Sequence, residues 1–325
     1  MDAKLEIISF KLNPYKKNEQ NFSFLDLFTK KIESSEIRNI YQNLVNVLDN
    51  PSDSSYHTVG KKAFTLIGEK SGYSSNDKYI YGLLKGGALG NGKTKGNVRD
   101  KNEEEDLDGN VINDKYFFII YFPLEDDKGY VLFQSYKDEG IRKVFIDTIM
   151  KEIFSLEGEY KKPKIEIFYP KIIKDEFKQN ALVKEIKFTD RQLSSKLSDE
   201  SSFQSIANEF KVEVKITPVG GGVATRLYRR FIESLGIQKI GDNQLQNFDK
   251  TSIIVQNEIT KKVTHFELGN EFEDIKPRIY LNGRINFDNN ELPEYDSLKE
   301  YCLGLLNEIK TEDEENLRNI RRNDS

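Results

Sequence analysis

Four short stretches of this sequence carry residue types that could do chemistry on phosphates. Gly87-Ala88-Leu89-Gly90-Asn91-Gly92-Lys93-Thr94 sets glycines ahead of a Lys-Thr pair. Backbone N–H groups of such a loop can wrap phosphates. Gly220, Gly221 and Gly222 precede Arg226, Arg229 and Arg230, and residues 219–232 hold three arginines and no acid. Glycine amides at a strand-to-helix turn, beside guanidinium groups, form an anion site suited to nucleic-acid phosphates. Glu185-Ile186-Lys187 and Glu213-Val214-Lys215 each put a carboxylate and an ammonium two residues apart. On a strand that spacing places both side chains on one face.

The first stretch resembles the Walker A sequence of P-loop NTPases. That resemblance implies Gly87, Gly92, Lys93 and Thr94 as a nucleotide and magnesium site, on condition that a helix starts at the Lys-Thr pair. Residues 97–108 follow instead, with six acids, two bases and two apolar residues, Val98 and Leu107. Such a run makes a poor amphipathic helix and repels a triphosphate. A flexible glycine loop leaving a hairpin is the reading preferred for 86–114. The Glu-x-Lys strands resemble the (D/E)-x-K half of magnesium-dependent nucleases, in which the carboxylate holds the metal and the lysine stabilises the attacked phosphate. Glu185, Lys187, Glu213 and Lys215 would be catalytic on that resemblance. The bland alternative is the polar face of a half-exposed strand, which alternates the same way. For the glycine-arginine stretch the bland alternative is a tight turn and a solvated helix face.

Composition excludes other classes. Two histidines, His57 and His265, and one cysteine, Cys302, cannot supply a zinc finger, a disulfide framework or a multi-histidine metal centre. Cys302 falls in the apolar pattern of Leu298, Tyr301 and Leu305 and reads as a small core residue. The acids at 103–108 lack the spacing of a calcium loop. No cofactor is expected, except magnesium if the nuclease or NTPase reading holds. Forty-nine basic against 54 acidic residues give a net charge of −5, so any nucleic-acid contact must be a local patch. At 37% hydrophobic and 32% charged, the chain reads as globular and well solvated. No apolar stretch is long enough for a bilayer-spanning helix, and the opening residues lack the apolar run of a secretory signal. The expected location is the cytoplasm, with no membrane partner.

The elements that must position these residues follow from periodicity. Residues 5–12 alternate as a strand, and Ile37, Ile40, Tyr41, Leu44 and Leu48 follow helical spacing. Residues 61–69 and 79–85 read as a hairpin. The continuous apolar run 116–122 predicts a fully buried strand in mid-sheet, and 130–133 pairs back after a turn. Residues 141–156 read as a helix, 164–169 as a strand, 172–182 as a helix and 183–189 as a strand. Beyond a serine-rich stretch come a helix at 203–210, a strand at 212–217 and a helix at 224–235. Strands at 252–256, 262–268 and 278–282, a helix at 297–310 and a charged, fraying tail complete the pattern. The expected fold is α/β or α+β, a mixed sheet with flanking helices in two domains. The domains are 1–191, with a mobile loop at 86–114, and 192–325, with the charged tail.

The run 117–123, then Gly129-Tyr130-Val131-Leu132-Phe133-Gln134, then Gly140-Ile141-Arg142-Lys143-Val144-Phe145, resembles uncharacterised bacterial proteins of mobile elements and phage-defence loci, of the abortive-infection type. The resemblance implies a defence component whose partner is a nucleic acid, a protein encoded nearby, or both, and it leaves self-association open. It transfers no catalytic residue; Gln134 and Gly140 are expected to serve turns and packing.

Overall fold

A computed structural model describes residues 3–15, 22–32, 37–49, 56–96, 103–136, 140–179, 181–190, 212–219, 223–224, 239–240, 243–244, 250–258, 261, 263–268 and 279–323. The class is α+β. The chain divides into two compact units, one of Met1–Phe168 with Ile279–Lys310, the other of Tyr169–Arg278 with Thr311–Ser325. The boundary expected near residue 192 and the helix expected at 203–210 lie outside the described residues.

The first unit is built on an eight-stranded antiparallel sheet. Its strands are β1 (Lys4–Pro14), β2 (His57–Val59), β3 (Lys62–Ser74), β4 (Tyr79–Ala88), β7 (Asp114–Tyr121), β8 (Lys128–Ser135), β9 (Tyr160–Ile167) and β17 (Ile279–Tyr280). The order is β17-β1-β8-β7-β4-β3-β2, with β9 also on β1. The apolar run 116–122 places β7 between β4 and β8, as its composition predicts, and residues 116–120 are fully buried. On one side Phe118 and Phe122 meet Phe145, Phe24, Phe28 and Phe154, with ring centroids 5.1–5.8 Å apart. On the other, Phe117 meets Tyr295 edge-to-face at 5.7 Å. Burial on both faces is why the strand shows no alternation.

Helices α1 (Phe24–Ile32) and α2 (Ile37–Asp49) cover the first face. Ser23 caps α1, its Oγ accepting the Asp26 N–H at 3.1 Å, and Phe24, Leu27 and Phe28 form its buried stripe. The helix expected at 141–156 is three pieces: α3 (Arg142–Phe145), a π-helical turn (Ile146–Met150) and α4 (Lys151–Phe154). The Lys31 ammonium closes the end of α4, donating to the carbonyls of Ile153 at 3.1 Å and Ser155 at 3.0 Å, and to that of Glu152. A cation there satisfies orphan carbonyls and opposes the helix dipole.

The second unit holds α5 (Lys171–Gln179), β10 (Ala181–Asp190), β11 (Val212–Ile216), β12 (Val223–Ala224), the short pair β13 (Lys239–Ile240) and β14 (Asn243–Gln244), β15 (Lys250–Asn257) and β16 (Val263–Leu268). Its main sheet runs β11-β10-β15-β16, with β12 also on β10. The strand-helix alternation of 141–189 reads as a mixed α/β architecture, with a mixed sheet. Every ladder among the described residues is antiparallel instead, because long strands joined by hairpins supply the neighbours that crossovers would have brought. The last helix, α6 (Tyr295–Asn323), carries through the segment expected to fray. Its exposed Glu314–Arg318 pair at 3.4 Å has the i,i+4 spacing that supports a polar helix. No helix among the described residues is long and apolar enough to cross a membrane.

Candidate functional site

Val183, Ile186 and Phe188 of β10 are buried together with Ile253 and Val255 of β15. A bulge at Lys184 shifts the register between Val183 and Glu185, after which Glu185 and Lys187 take the opposite, polar face. β11 pairs antiparallel along the far edge of β10, with Lys187 opposite Lys215 and Thr189 opposite Glu213. The diagonals are then complementary. Lys187 Nζ lies 2.7 Å from Glu213 Oε1, and Lys215 Nζ lies 2.6 Å from Glu185 Oε2. Glu185 is the most enclosed of the four, its side chain 16% exposed against 61% for its partner Lys215. The two Glu-x-Lys stretches, separated by residues 188–212, therefore form one quartet of zero net charge.

This arrangement binds its own charges. Each carboxylate holds an ammonium of the neighbouring strand, so a divalent cation would have to displace both lysines, and the donor set does not fit a resident metal. Among the described residues no three His, Cys, Asp or Glu side chains cluster as metal ligands. His265 lies on β16 opposite Ile254.

β12 shares the β11 edge of β10. Ile216 pairs with Ile186, and Val223 and Ala224 pair with Val183 and Leu182. The chain thus leaves β10 at Ile216 and rejoins it at Val223, across Lys184 and Glu185. Gly220, Gly221, Gly222, Arg226, Arg229 and Arg230 lie outside the described residues, as does the helix expected at 224–235 except Ala224, which is strand.

The Walker-like stretch takes a different shape. β4 ends at Ala88, Leu89 bridges Val111, and Thr94–Gly96 forms β5, paired with β6 (Glu104–Asp106). Where a flexible loop was expected, both arms of 86–114 are hydrogen-bonded. The Gly90 N–H donates to the Asn110 carbonyl at 2.9 Å and the Ile112 N–H to the Ala88 carbonyl at 2.9 Å. Lys93 starts no helix. Its N–H donates to the Gly90 carbonyl at 2.7 Å and its carbonyl accepts from Leu107 at 2.9 Å. The Gly92 N–H, at φ +70°, donates to the Asp108 carboxylate at 2.6 Å, and the Thr94 hydroxyl donates to the Glu104 carboxylate. Acidic side chains hold the groups that phosphate and magnesium would need. The glycine pattern serves close chain approach: a Cβ on Gly87 would stand 2.0 Å from the Ile112 carbonyl oxygen. Lys95 facing Glu105 at 3.4 Å is the sequence signal of this arm, opposite charges on its two sides.

Gln134 is buried and bridges two elements: its Oε1 accepts the Phe117 N–H at 2.9 Å and its Nε2 donates to the Tyr136 hydroxyl at 2.8 Å. The Gly140 carbonyl accepts from Lys62 Nζ at 2.7 Å. His57 stacks on Phe64, with centroids 5.3 Å apart. Cys302 is fully buried, and burial pushes its thiol well above the ordinary range. Sequence reasoning passed over Lys11, Lys128 and Lys164, which the sheet register sets directly opposite one another on β1, β8 and β9. They come from three distant segments, so no local pattern announces them. No protein-family model matches this chain, and no curated protein matches it in sequence.

Proposed function

We propose that this chain binds nucleic acid, as a component of the phage-defence type, through the glycine-arginine segment that begins beside β10. The observation carrying this reading is the pairing of Val223 and Ala224 with β10, which anchors the start of the segment to the sheet edge beside Glu185. Residues 219–232 bring three arginines and no acid, and Glu185 and Glu213, on the strands beside the described start of the segment, are each paired with a lysine, Lys215 and Lys187. A run of arginines with no acid among them in sequence suits phosphate oxygens.

The test is incubation of the pure protein with plasmid, single-stranded DNA and RNA, in magnesium, in manganese and in chelator, followed by electrophoresis. Intact but retarded nucleic acid is expected under all three conditions, with retardation of the duplex plasmid lost in R226E/R229E/R230E. Plasmid retardation unchanged in that variant, or no retardation by the parent, overturns the reading. Chelator-sensitive fragments also overturn it, and would assign Glu185, Lys187, Glu213 and Lys215 to a metal-dependent nuclease.

A further inference from the structure

On β8, β1 and β9 of the first unit, Lys128 stands opposite Lys11 and Lys11 opposite Lys164. Directly opposed residues of adjacent strands share a sheet face, and neighbouring strands are about 5 Å apart. The three lysines therefore start from one row of backbone positions about 10 Å long. Two residues further along β1, Asn13 stands opposite Lys161, after a bulge. Alternation keeps Asn13, and with it Lys161, on the face of Lys11. Tyr15, just past the end of β1, is 53% exposed, with Lys161 Nζ 4.7 Å from its ring centroid. Lys128 lies over the rings of Tyr130 at 4.8 Å and Phe168 at 5.8 Å.

Like charges directly opposite on a sheet are unfavourable. Asp127 lies 3.1 Å from Lys11, and Glu166 stands opposite Ser9 on β9. Four lysines thus gather on one sheet face of a chain whose net charge is −5. A row of lysines beside an exposed, cation-backed aromatic ring is complementary to a phosphodiester backbone with an unpaired base. A duplex offers no free base face to Tyr15.

We propose that this face, Lys128, Lys11, Lys164 and Lys161 with Tyr15, is a contact surface for single-stranded nucleic acid, the lysines following the backbone and Tyr15 stacking one base. It rests on the reading above for the class of partner and is independent of the arginine segment. The experiment is fluorescence anisotropy of the full chain with a labelled oligothymidylate of about 15 nucleotides across a salt series, since each single-strand phosphate contact contributes a slope of about 0.7. K11E/K128E/K164E is expected to weaken binding at least tenfold and to flatten the slope by about 2. Because three reversals on one sheet can unfold it, Lys164→Gln, at an exposed position, is expected to flatten the slope by about 0.7. Tyr15→Ala is expected to weaken binding about tenfold with the slope unchanged. The proposal is overturned if the parent does not bind or if Lys164→Gln keeps the parent's slope. Loss in the lysine variants with R226E/R229E/R230E unaffected upholds this surface and removes the arginine segment. The reverse pattern removes this surface and upholds the arginine segment.

Discussion

Lys187 on β10 and Lys215 on β11 are directly opposite in register, yet each is held by the glutamate of the other's strand, at 2.7 and 2.6 Å. Two like charges side by side are tolerated because the diagonals cancel them. The quartet thereby behaves as a strand-pairing device. Lys187→Glu should lower the denaturant midpoint by an amount corresponding to about 1 kcal/mol, the usual scale for a partly exposed pair. Adding Glu213→Lys should recover most of that loss. Failure of the swap to recover stability would show that the pair does not set the β10–β11 contact.

The glycine-lysine stretch is expected to behave oppositely to a nucleotide site. Lys93→Ala should stay within about 0.5 kcal/mol of the parent, as an exposed change does, and calorimetric titration with ATP or GTP in magnesium should show no saturable binding. Gly87→Ala should cost about 1–3 kcal/mol through overpacking, since its Cβ would meet the Ile112 carbonyl at 2.0 Å. Saturable nucleotide binding lost in Lys93→Ala would contradict the β-arm account of this segment.

Part of this architecture is written locally. The unbroken apolar run 116–122 predicts a strand buried on both faces, and β7 is one; the spacing of Ile40, Tyr41 and Leu44 predicts α2. The shared face of Glu185 and Lys187 follows from strand alternation alone. Their partners do not, because β10 and β11 are separated by residues 191–211 and register is a nonlocal property. The same holds for Lys11, Lys128 and Lys164. Residues 86–114 misled for another reason: glycines and acids favour loops by propensity, and pairing across β5 and β6 outweighs that preference. The helix at 141–156 has the right apolar positions, but its spacing does not disclose the π-helical turn at Ile146–Met150.

Gln134 replaces a backbone partner with a side chain. With its Oε1 accepting from Phe117 and its Nε2 donating to Tyr136, Gln134→Leu would leave two buried groups unsatisfied and should cost about 2–3 kcal/mol, measured as a shift of the urea midpoint. Tyr136 adds a pH dependence. Burial pushes its phenol from 10.0 up to about 12, a raised folded-state value. Its contribution is fully present below pH 10 and is lost as the pH climbs through about 12, because the unfolded chain releases the proton first. The parent should therefore lose about 2–3 kcal/mol more than Tyr136→Phe across that interval, given 1.36 kcal/mol for each pH unit. Equal alkaline losses in the two proteins would contradict the burial of this hydroxyl.

The most direct measurement is the salt dependence of affinity for a short DNA duplex, in the parent and in R226E/R229E/R230E. Each phosphate contact releases counterions and contributes a slope of about 0.9 on duplex DNA. If Arg226, Arg229 and Arg230 contact the backbone, affinity falls steeply with salt in the parent, and the variant is shallower by roughly 2 to 3. An affinity indifferent to salt, or a variant that keeps the parent's slope, would contradict nucleic-acid binding through the arginine segment.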